Sequence, residues 1–535
     1  MNKALFSACL FLGCIFVSCN EEPQEQVQPV SVTGITISPT SLTLTEGESD
    51  MLTVKVLPSN ADNQKVHWSS DNPCVSVLNN GQVTALTPGT ATVTARTDDG
   101  GFEAKCSITS KERIYPVSGV SLNENSLSLF RGRTATLVAT VEPSNATNKS
   151  VKWSSSNPGI VRVNDGVLLA IDEGTATITV ETEDGAHKTS CEVAVSINVV
   201  DLSAQGAANS YIIPSAGDYK FKADVKGNST EPILGAISAS VLWESYGTSE
   251  SIRPGDIVKD VSLGNDGYIT LLIVPDAKNG NALVAVKDAS GEVLWSWHLW
   301  FCSGYDAVAT QQTYSNNAGV MMDRNLGATS ATPGSVEALG LMYQWGRKDP
   351  FLGADAIRSQ TFAKSSESFP GYVKSSETRG TIDYTVKHPM TFITENQYNH
   401  EWLYPTDDPA LVTRWKEEKT VYDPCPPGWR VPGKEIWVTA GVPGPGVDKK
   451  KWDNTNYGVT LDKTFCQPDA WYPATGIYYS PTGEFYGSGG LAQYLSCSLQ
   501  SESQNYIYFF DSSGNYGIHE MSMGHASSVR CQKIQ

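Results

Sequence analysis

Over most of this chain the apolar positions fall into short alternating runs separated by turn residues. Ser41-Leu-Thr-Leu-Thr45, Leu52-Thr-Val-Lys-Val56 and Ala91-Thr-Val-Thr-Ala95 each place a larger or apolar side chain at every second position. Successive side chains of a strand point to opposite faces, so a period of two predicts half-buried strands. The pattern occurs twice. Gly34 matches Gly119, Pro58-Ser-Asn60 matches Pro143-Ser-Asn145, and Trp68-Ser-Ser70 matches Trp153-Ser-Ser155. Gly89-Thr-Ala-Thr92 matches Gly174-Thr-Ala-Thr177, Cys106 matches Cys191, and every pair is 85 residues apart. Two gap-free copies of a short-strand pattern predict tandem all-β sandwiches over 32–112 and 116–198.

From Val199 the alternation continues without a repeat partner. Asn281-Ala-Leu-Val-Ala-Val286 runs through Asp288-Ala-Ser-Gly291 into Glu292-Val-Leu-Trp-Ser-Trp-His-Leu-Trp300, which predicts a β-hairpin. Its second arm puts Val293, Trp295 and Trp297 on one face and Leu294, Ser296 and His298 on the other. A lone histidine beside tryptophans reads as structural, and 199–303 reads as a third β-sandwich. Beyond it the regular spacing is lost and aromatics accumulate, with seven of the thirteen tryptophans in 304–535. Tyr422-Asp-Pro-Cys-Pro-Pro-Gly-Trp-Arg-Val-Pro432 is a rigid, extended run. A helix is expected just after it, at 433–440, and another near 335–345. The polar stretch 354–420, with few periodic runs, reads as a functional insertion or an ordered loop region.

Charge and cysteine usage narrow the function classes. A formal net charge of -18 argues against a basic nucleic-acid face. Lys3 and the apolar run Ala4 to Val17 form a secretory signal too short to span a bilayer comfortably. The segment ends in Val17-Ser18-Cys19, which resembles a bacterial lipobox with Phe16 where Leu is usual. The resemblance implies a signal peptide at 1–18, a lipid on Cys19 and a flexible tether over 19–31. Asn20-Glu-Glu22 resembles the acidic signal that sends such lipoproteins to the outer surface of some Gram-negative cells. Of 11 cysteines, eight remain after Cys9, Cys14 and Cys19 are set aside, in a compartment that permits disulfides. The chain has no Cys-x-x-Cys pair and no Cys/His zinc spacing, so neither a metal nor a cofactor is expected.

The Trp-Ser-Ser, Pro-Ser-Asn and Gly-Thr-Ala-Thr blocks resemble the bacterial Ig-like group 2 domain. That family implies spacer or stalk modules, with Trp68 and Trp153 as core residues. Cys106 and Cys191 read as small buried hydrophobes. Ala208-Asn-Ser-Tyr211 and Leu294-Trp-Ser-Trp-His298 resemble a module that accompanies one kind of C-terminal head in surface lipoproteins. Asp323-Arg-Asn-Leu326, Tyr343-Gln-Trp345, Cys425-Pro-Pro-Gly-Trp-Arg-Val-Pro432, Pro473-Ala-Thr-Gly476 and Val529-Arg-Cys531 resemble that head. It is the FISUMP (major paralogous domain) family, of C-type-lectin-like fold. The overall expectation is a mainly β multidomain protein, Ig-like sandwiches followed by an α+β C-type-lectin-like domain at 304–535. In that fold the terminal strands lie together, which implies a Cys425–Cys531 disulfide; Cys466–Cys497 is a second possible pair.

Gln467-Pro-Asp469 and Trp452-Asp-Asn454 echo the calcium tripeptides of true lectins. The first lies upstream of the Trp471 strand where the lectin motif lies downstream, the second permutes the lectins' Trp-Asn-Asp, and calcium needs six to eight converging oxygens. The fold also hosts formylglycine-generating oxidases, whose Gly-Gly-Ser-rich copper segment this chain lacks. His388, His400, His519 and His525 stand in no recognisable catalytic motif. The expectation is therefore a non-enzymatic lipoprotein on the cell outer membrane, an adhesin or ligand-binding protein for carbohydrate or protein. Trp452, Asn454, Trp471 and Tyr486 are the candidate binding residues, because flat rings and amides on loops suit such ligands. A fimbrial tip or accessory subunit and a glycan-acting enzyme are the alternatives.

Overall fold

The computed structural model describes residues 28–397, 400–404, 414–448, 451–501 and 503–535. The signal segment, most of the tether and Cys19 lie outside them. No helix among the described residues is long and apolar enough to cross a membrane. The protein is mainly β and built of several modules. It divides into two compact units, one reaching to Val117 together with Pro143–Asn148, the other comprising Ser118–Glu142 and Lys149–Gln535.

Each Ig-like copy contains a four-stranded sheet. In the first copy its order is Ser41–Thr45, Glu103–Lys111, Gly89–Thr97, Val66–Ser70; in the second it is Ser126–Phe130, Lys188–Ser196, Gly174–Thr182, Val151–Ser155. Every boundary is displaced by the 85 residues that the sequence repeat fixes. Alternation puts Val93, Ala95, Cys106 and Ile108 inside one copy and Ile178, Val180, Cys191 and Val193 inside the other. Cys74, Cys106 and Cys191 are buried free thiols. Gly81 and Gly166 adopt positive φ, and a Cβ at either would stand 2.4 Å from the carbonyl oxygen of Leu52 or Leu137. Trp68 and Trp153 close over these two turns, as half-buried core rings rather than binding platforms.

Residues 199–303 form two four-stranded sheets. One runs Val200–Asp201, Gly217–Lys222, Tyr268–Ile273, Val258–Leu263; the other runs Ser210–Ile213, Val293–Phe301, Gly280–Lys287, Ser238–Ser245. The second sheet has two buried faces. Trp295, Trp297, Leu299 and Phe301 face the sandwich core, while Trp300 and Cys302 belong to a cluster shared with Met322, Leu326, Tyr343, Trp345 and Trp415. Arg131 of the second Ig-like copy pairs with Asp218 of this sandwich and, at 3.0 Å, with Asp172. The adjacent Gly132 lies so close that a Cβ would meet the Ala216 carbonyl carbon at 2.5 Å.

The remaining chain, 304–535, is organised on an eight-stranded sheet. Its path is Met342–Gln344, Ala526–Ser528, Thr475–Tyr478, Leu491–Leu499, Gln504–Asp511, Asn515–Ser522 and Gly446–Val447, with Phe485–Ser488 paired to Thr475–Tyr478. A five-stranded sheet brings Trp429–Arg430 beside Gln532–Lys533. Cys425 and Cys531 are disulfide-bonded there. Cys466 and Cys497 are free and buried in different clusters, so they do not pair. The helix after Pro432 is short, Glu435–Thr439. The expected helix near 335–345 is instead a single 3-10 turn, Val336–Ala338, followed by the strand Met342–Gln344, whose three residues are all buried. A helix unannounced by the sequence pattern, Ile382–Lys387, is capped by Thr381, whose side chain accepts from Tyr384 N.

Candidate functional site

Four aromatic side chains of the polar stretch 354–420, Phe362, Phe369, Tyr372 and Phe392, converge on a groove of about 420 Å³. Its floor is a buried stack: Tyr478 lies 5.1 Å from Phe362, 5.2 Å from Phe392 and 5.6 Å from Phe351, ring centre to ring centre. The Tyr478 hydroxyl is spent on the Leu352 carbonyl at 2.9 Å, and burial pushes its pKa well up, so it serves as a wall and not as an acid. The rim is open, with Phe362 38% and Tyr372 58% exposed. Gly483, at positive φ, lets the 479–484 turn close against the Tyr372 ring, which a Cβ would meet at 2.6 Å.

One wall is backed by the preceding sandwich. Ser366 N donates to the Glu244 carbonyl at 2.9 Å, and Glu244 N returns a bond to Ser366 Oγ at 3.0 Å. Lys364 N donates to the Thr248 carbonyl at 2.8 Å, and Ser245 Oγ donates to the Lys364 carbonyl at 2.6 Å. Segment 364–366 is thus held like an added strand against 244–248. The Glu244 carboxyl beneath is fully buried, and burial raises its pKa against the pull of backbone N–H groups from Gly255, Ile257 and Val258.

The same sandwich grips the segment 420–424. Asn209 Nδ2 donates to the carbonyls of Val421 and Asp423 at 2.7 and 2.8 Å, and Ser210 Oγ donates to that of Pro424 at 2.7 Å. Asp423 then turns the chain, accepting from Cys425 N and Val431 N at 2.9 Å each. The Asn-Ser block at 209–210 and the proline-rich run at 422–432 are therefore partners across a buried joint, and neither is a catalytic motif. His298 sits in the same joint, with Nε2 2.9 Å from Asn281 Oδ1, and burial lowers its pKa to about 3. It is a neutral structural residue.

The candidate residues from the sequence do not gather into one site. Trp452 and Trp471 are only 8% and 7% exposed. Trp452 lies in the strand Trp452–Asp453 and packs toward Phe510, and Trp471 covers Gly458 from the strand Ala470–Pro473. Their rings are core and not on offer to a ligand. Asn454 is exposed in a turn organised by Asp453, whose carboxylate accepts from Thr455 N, Asn456 N and Asn456 Nδ2. Gln467 belongs to a strand paired with Thr313. Tyr486 is exposed but pairs with Ile477, which puts it on the hairpin face opposite Tyr478 and the groove. Among the described residues no group of three or more His, Cys, Asp or Glu side chains could hold a metal ion. The missed signal was Phe362, Phe369, Tyr372 and Phe392, large rings recurring in an otherwise polar insertion.

Such a groove has the shape and lining to hold a ligand. Its described lining carries apolar rings with Lys364, Glu367 and Ser368 at the margin, and neither histidine nor cysteine. Apolar walls with a few polar groups suit ligand recognition, with the rings as contact area.

Comparison with known proteins gives partial matches. An uncharacterized protein of Clostridium acetobutylicum is 37% identical over 169 residues, 31% of this chain and 17% of that one. An Ig-like virion protein of Serratia phage KSP90 is 34% identical over 171 residues, 31% of this chain and 66% of that one. An alpha-L-arabinofuranosidase of Bifidobacterium longum is 39% identical over 93 residues, 8% of its length. The chain thus spans only part of each of these relatives. Among solved structures, domains 4 and 5 of the S-layer protein SbsC align with 31% of this chain and 99% of theirs. The identity is 19% and the TM-score 0.17, which carries no argument. The family model of the bacterial Ig-like domain (group 2) matches residues 31–108 and 116–193. Those two segments, one per repeat, are tandem bacterial Ig-like domains of group 2.

Proposed function

We propose that this chain is a cell-surface ligand-binding protein of adhesin type. Residues 199–535 recognise the ligand, and the two Ig-like domains serve as spacers. The observation that carries the reading is the open aromatic groove around Tyr478, walled by segment 364–366 and rimmed by exposed Phe362 and Tyr372. Its ligand is a carbohydrate or a protein segment with an apolar face, taken up without chemical change. The resemblance of 304–535 to the FISUMP, C-type-lectin-like family supports a recognition role. The lipobox-like Val17-Ser-Cys19 supports an outer-membrane lipoprotein held by a lipid on Cys19.

The test is a combined glycan and protein array probed with the full chain and with Phe362→Ala. The variant should lose most of the binding, since a central aromatic anchor contributes above about 1 kcal/mol. Chelator should change nothing. Binding indifferent to Phe362 would sink the groove, and turnover of a bound glycan would sink the non-catalytic reading.

A further inference from the structure

Across the Lys364–Thr248 hydrogen bond from the groove lies a second hollow of about 360 Å³, between the third sandwich and the segment 329–337. Thr248 lines this cleft and Lys364 lines the groove, so the two share a wall. Both volumes fall within the range usual for ligand sites, about 300–1,000 Å³. The chemistry of the two differs. The groove is aromatic, whereas the cleft offers one ring, Tyr246, among hydroxyls and charges that include Ser330, Glu250, Lys278 and Glu337.

The cleft is also preformed. The Gly327 and Ala328 carbonyls accept from Asn281 Nδ2 at 2.9 Å and Trp300 Nε1 at 3.1 Å, which fixes the approach to segment 329–337 on the sandwich. Thr329 N donates to the Glu337 carbonyl at 2.9 Å, holding the ends of that segment together. A site with both walls set before binding loses little ordering entropy when a ligand arrives.

We infer that this cleft is a second subsite of the recognition unit, for a neutral polyhydroxylated chain, an oligosaccharide that continues into the aromatic groove. The inference rests on the ligand-binding reading above and adds its ligand class and extent. A pyranose presents an apolar face to a ring and hydroxyls around its edge. Tyr246 can take part of the face beside Lys278, whose ammonium lies over the ring, and the carboxylates and hydroxyls can take the edge. Charge selects against acidic sugars. Glu250 and Glu337 outnumber Lys278, and Lys278 is already paired with Glu250 and lies over Tyr246 at 5.7 Å. In the cleft a uronate or sulfate would meet net negative charge, and the one lysine of its described lining is already paired.

The experiment uses the full chain on an array of neutral and uronate-containing oligosaccharides of increasing length, with proteins on a parallel array. Affinities are then measured for the best binder and its shorter homologues. Wild type should prefer neutral chains and bind longer ones more tightly. Tyr246→Ala should weaken the longer chains roughly tenfold and leave the shortest unchanged, whereas Phe362→Ala should weaken every length. Should Tyr246→Ala melt early, Ser330→Gln narrows the cleft without entering the sandwich core and should give the same length-selective loss. A length dependence untouched by both cleft variants, a preference for uronates, or no oligosaccharide bound at any length overturns the subsite. The groove itself stands or falls separately, on whether Phe362→Ala abolishes binding to whatever either array retains.

Discussion

The two Ig-like domains and the region 199–535 fill a β core in opposite ways. Each Ig-like copy has a single tryptophan, Trp68 or Trp153, half-buried over a glycine turn, and otherwise packs Val, Ala, Ile, Leu and Cys between small sheets of two, three and four strands. Region 199–535 buries Trp243, Trp295, Trp297, Trp300, Trp345, Trp402, Trp415 and Trp437 completely. The reason is geometric. A sheet with one solvated face needs only every second side chain to be apolar, and small residues suffice. The sheet Ser210–Ile213, Val293–Phe301, Gly280–Lys287, Ser238–Ser245 is covered on both faces, and large rings bridge the distance to irregular loops on the far side. One design makes a repeatable module. The other makes a joint from which a binding site can be hung.

If the joint is what makes 199–535 one body, removing its covalent tie should have the largest effect. Cys425 and Cys531 are 106 residues apart, and closing so long a loop contributes about 4–5 kcal/mol in the chain-entropy view. The Cys425→Ala/Cys531→Ala pair, or reduction, should lower the melting transition of 199–535 by many degrees and leave that of the first Ig-like domain where it was. Calorimetry would show whether one transition moves or both do.

Next in size is the shared core. Trp300→Ala removes a fully buried ring whose Nε1 also holds the Ala328 carbonyl, at a cost of about 3–5 kcal/mol. Trp153→Ala, at a half-buried ring, should cost roughly half as much. Equal losses in denaturant titrations would erase the distinction drawn here.

Arg131 marks where the second Ig-like copy meets the following sandwich. Its counterpart in the first copy, 85 residues earlier, is Glu46, whose carbonyl accepts from Arg113 Nε at 2.9 Å. The same turn thus meets a different neighbour in each copy. Arg131→Ala strands the largely buried Asp218 and should cost about 2–3 kcal/mol. The second copy should then melt ahead of 199–535, and a single unchanged transition would show that the pair does not couple them.

The most gradual effect is a pH slope. Burial holds the folded-state pKa of His298 at about 3, below its unfolded value near 6.5. The unfolded chain therefore binds the extra proton between these limits. Stability from this group is complete above about pH 6.5 and declines as pH falls toward 3, by at most about 1.4 kcal/mol per unit. His525, lowered by burial as well, acts in the same direction. His298→Gln should flatten the acid limb for 199–535, and an unchanged slope would mean that His298 is not the group responsible.

Legibility followed the same division. In the Ig-like domains a period of two and an exact 85-residue repeat determine strands, faces and register together, so the sequence alone places them. The arm Val293–Phe301 was also visible, but not that its Ser296, His298 and Trp300 face would be buried by another part of the chain. Alternation reports that two faces differ, and it is silent about what covers them. In 304–535 the motifs were visible and their roles were not. Met342–Gln344 looks helical by composition and is a strand because it pairs with Ala526–Ser528, nearly two hundred residues away. Trp452 and Trp471 look like surface rings in a loop-rich stretch, yet long-range packing against Phe510 and Gly458 draws them inside. The groove rings, Phe362 and Tyr372, stand in a segment with no period, and only tertiary contact with Tyr478 and Gly483 brings them together.

Hydrogen exchange on the intact chain across a denaturant series tests most directly whether 199–535 is a single folding and binding unit. Amides of Gly280–Lys287 and Val293–Phe301 should lose protection at the same denaturant concentration, and with the same slope, as those of Leu491–Leu499 and Gln504–Asp511. The strands Gly89–Thr97 and Glu103–Lys111 of the first Ig-like domain should open separately. If the strands of 199–303 instead opened in a step of their own while Leu491–Leu499 stayed protected, the sandwich would be a third spacer, and the joint described here would not exist.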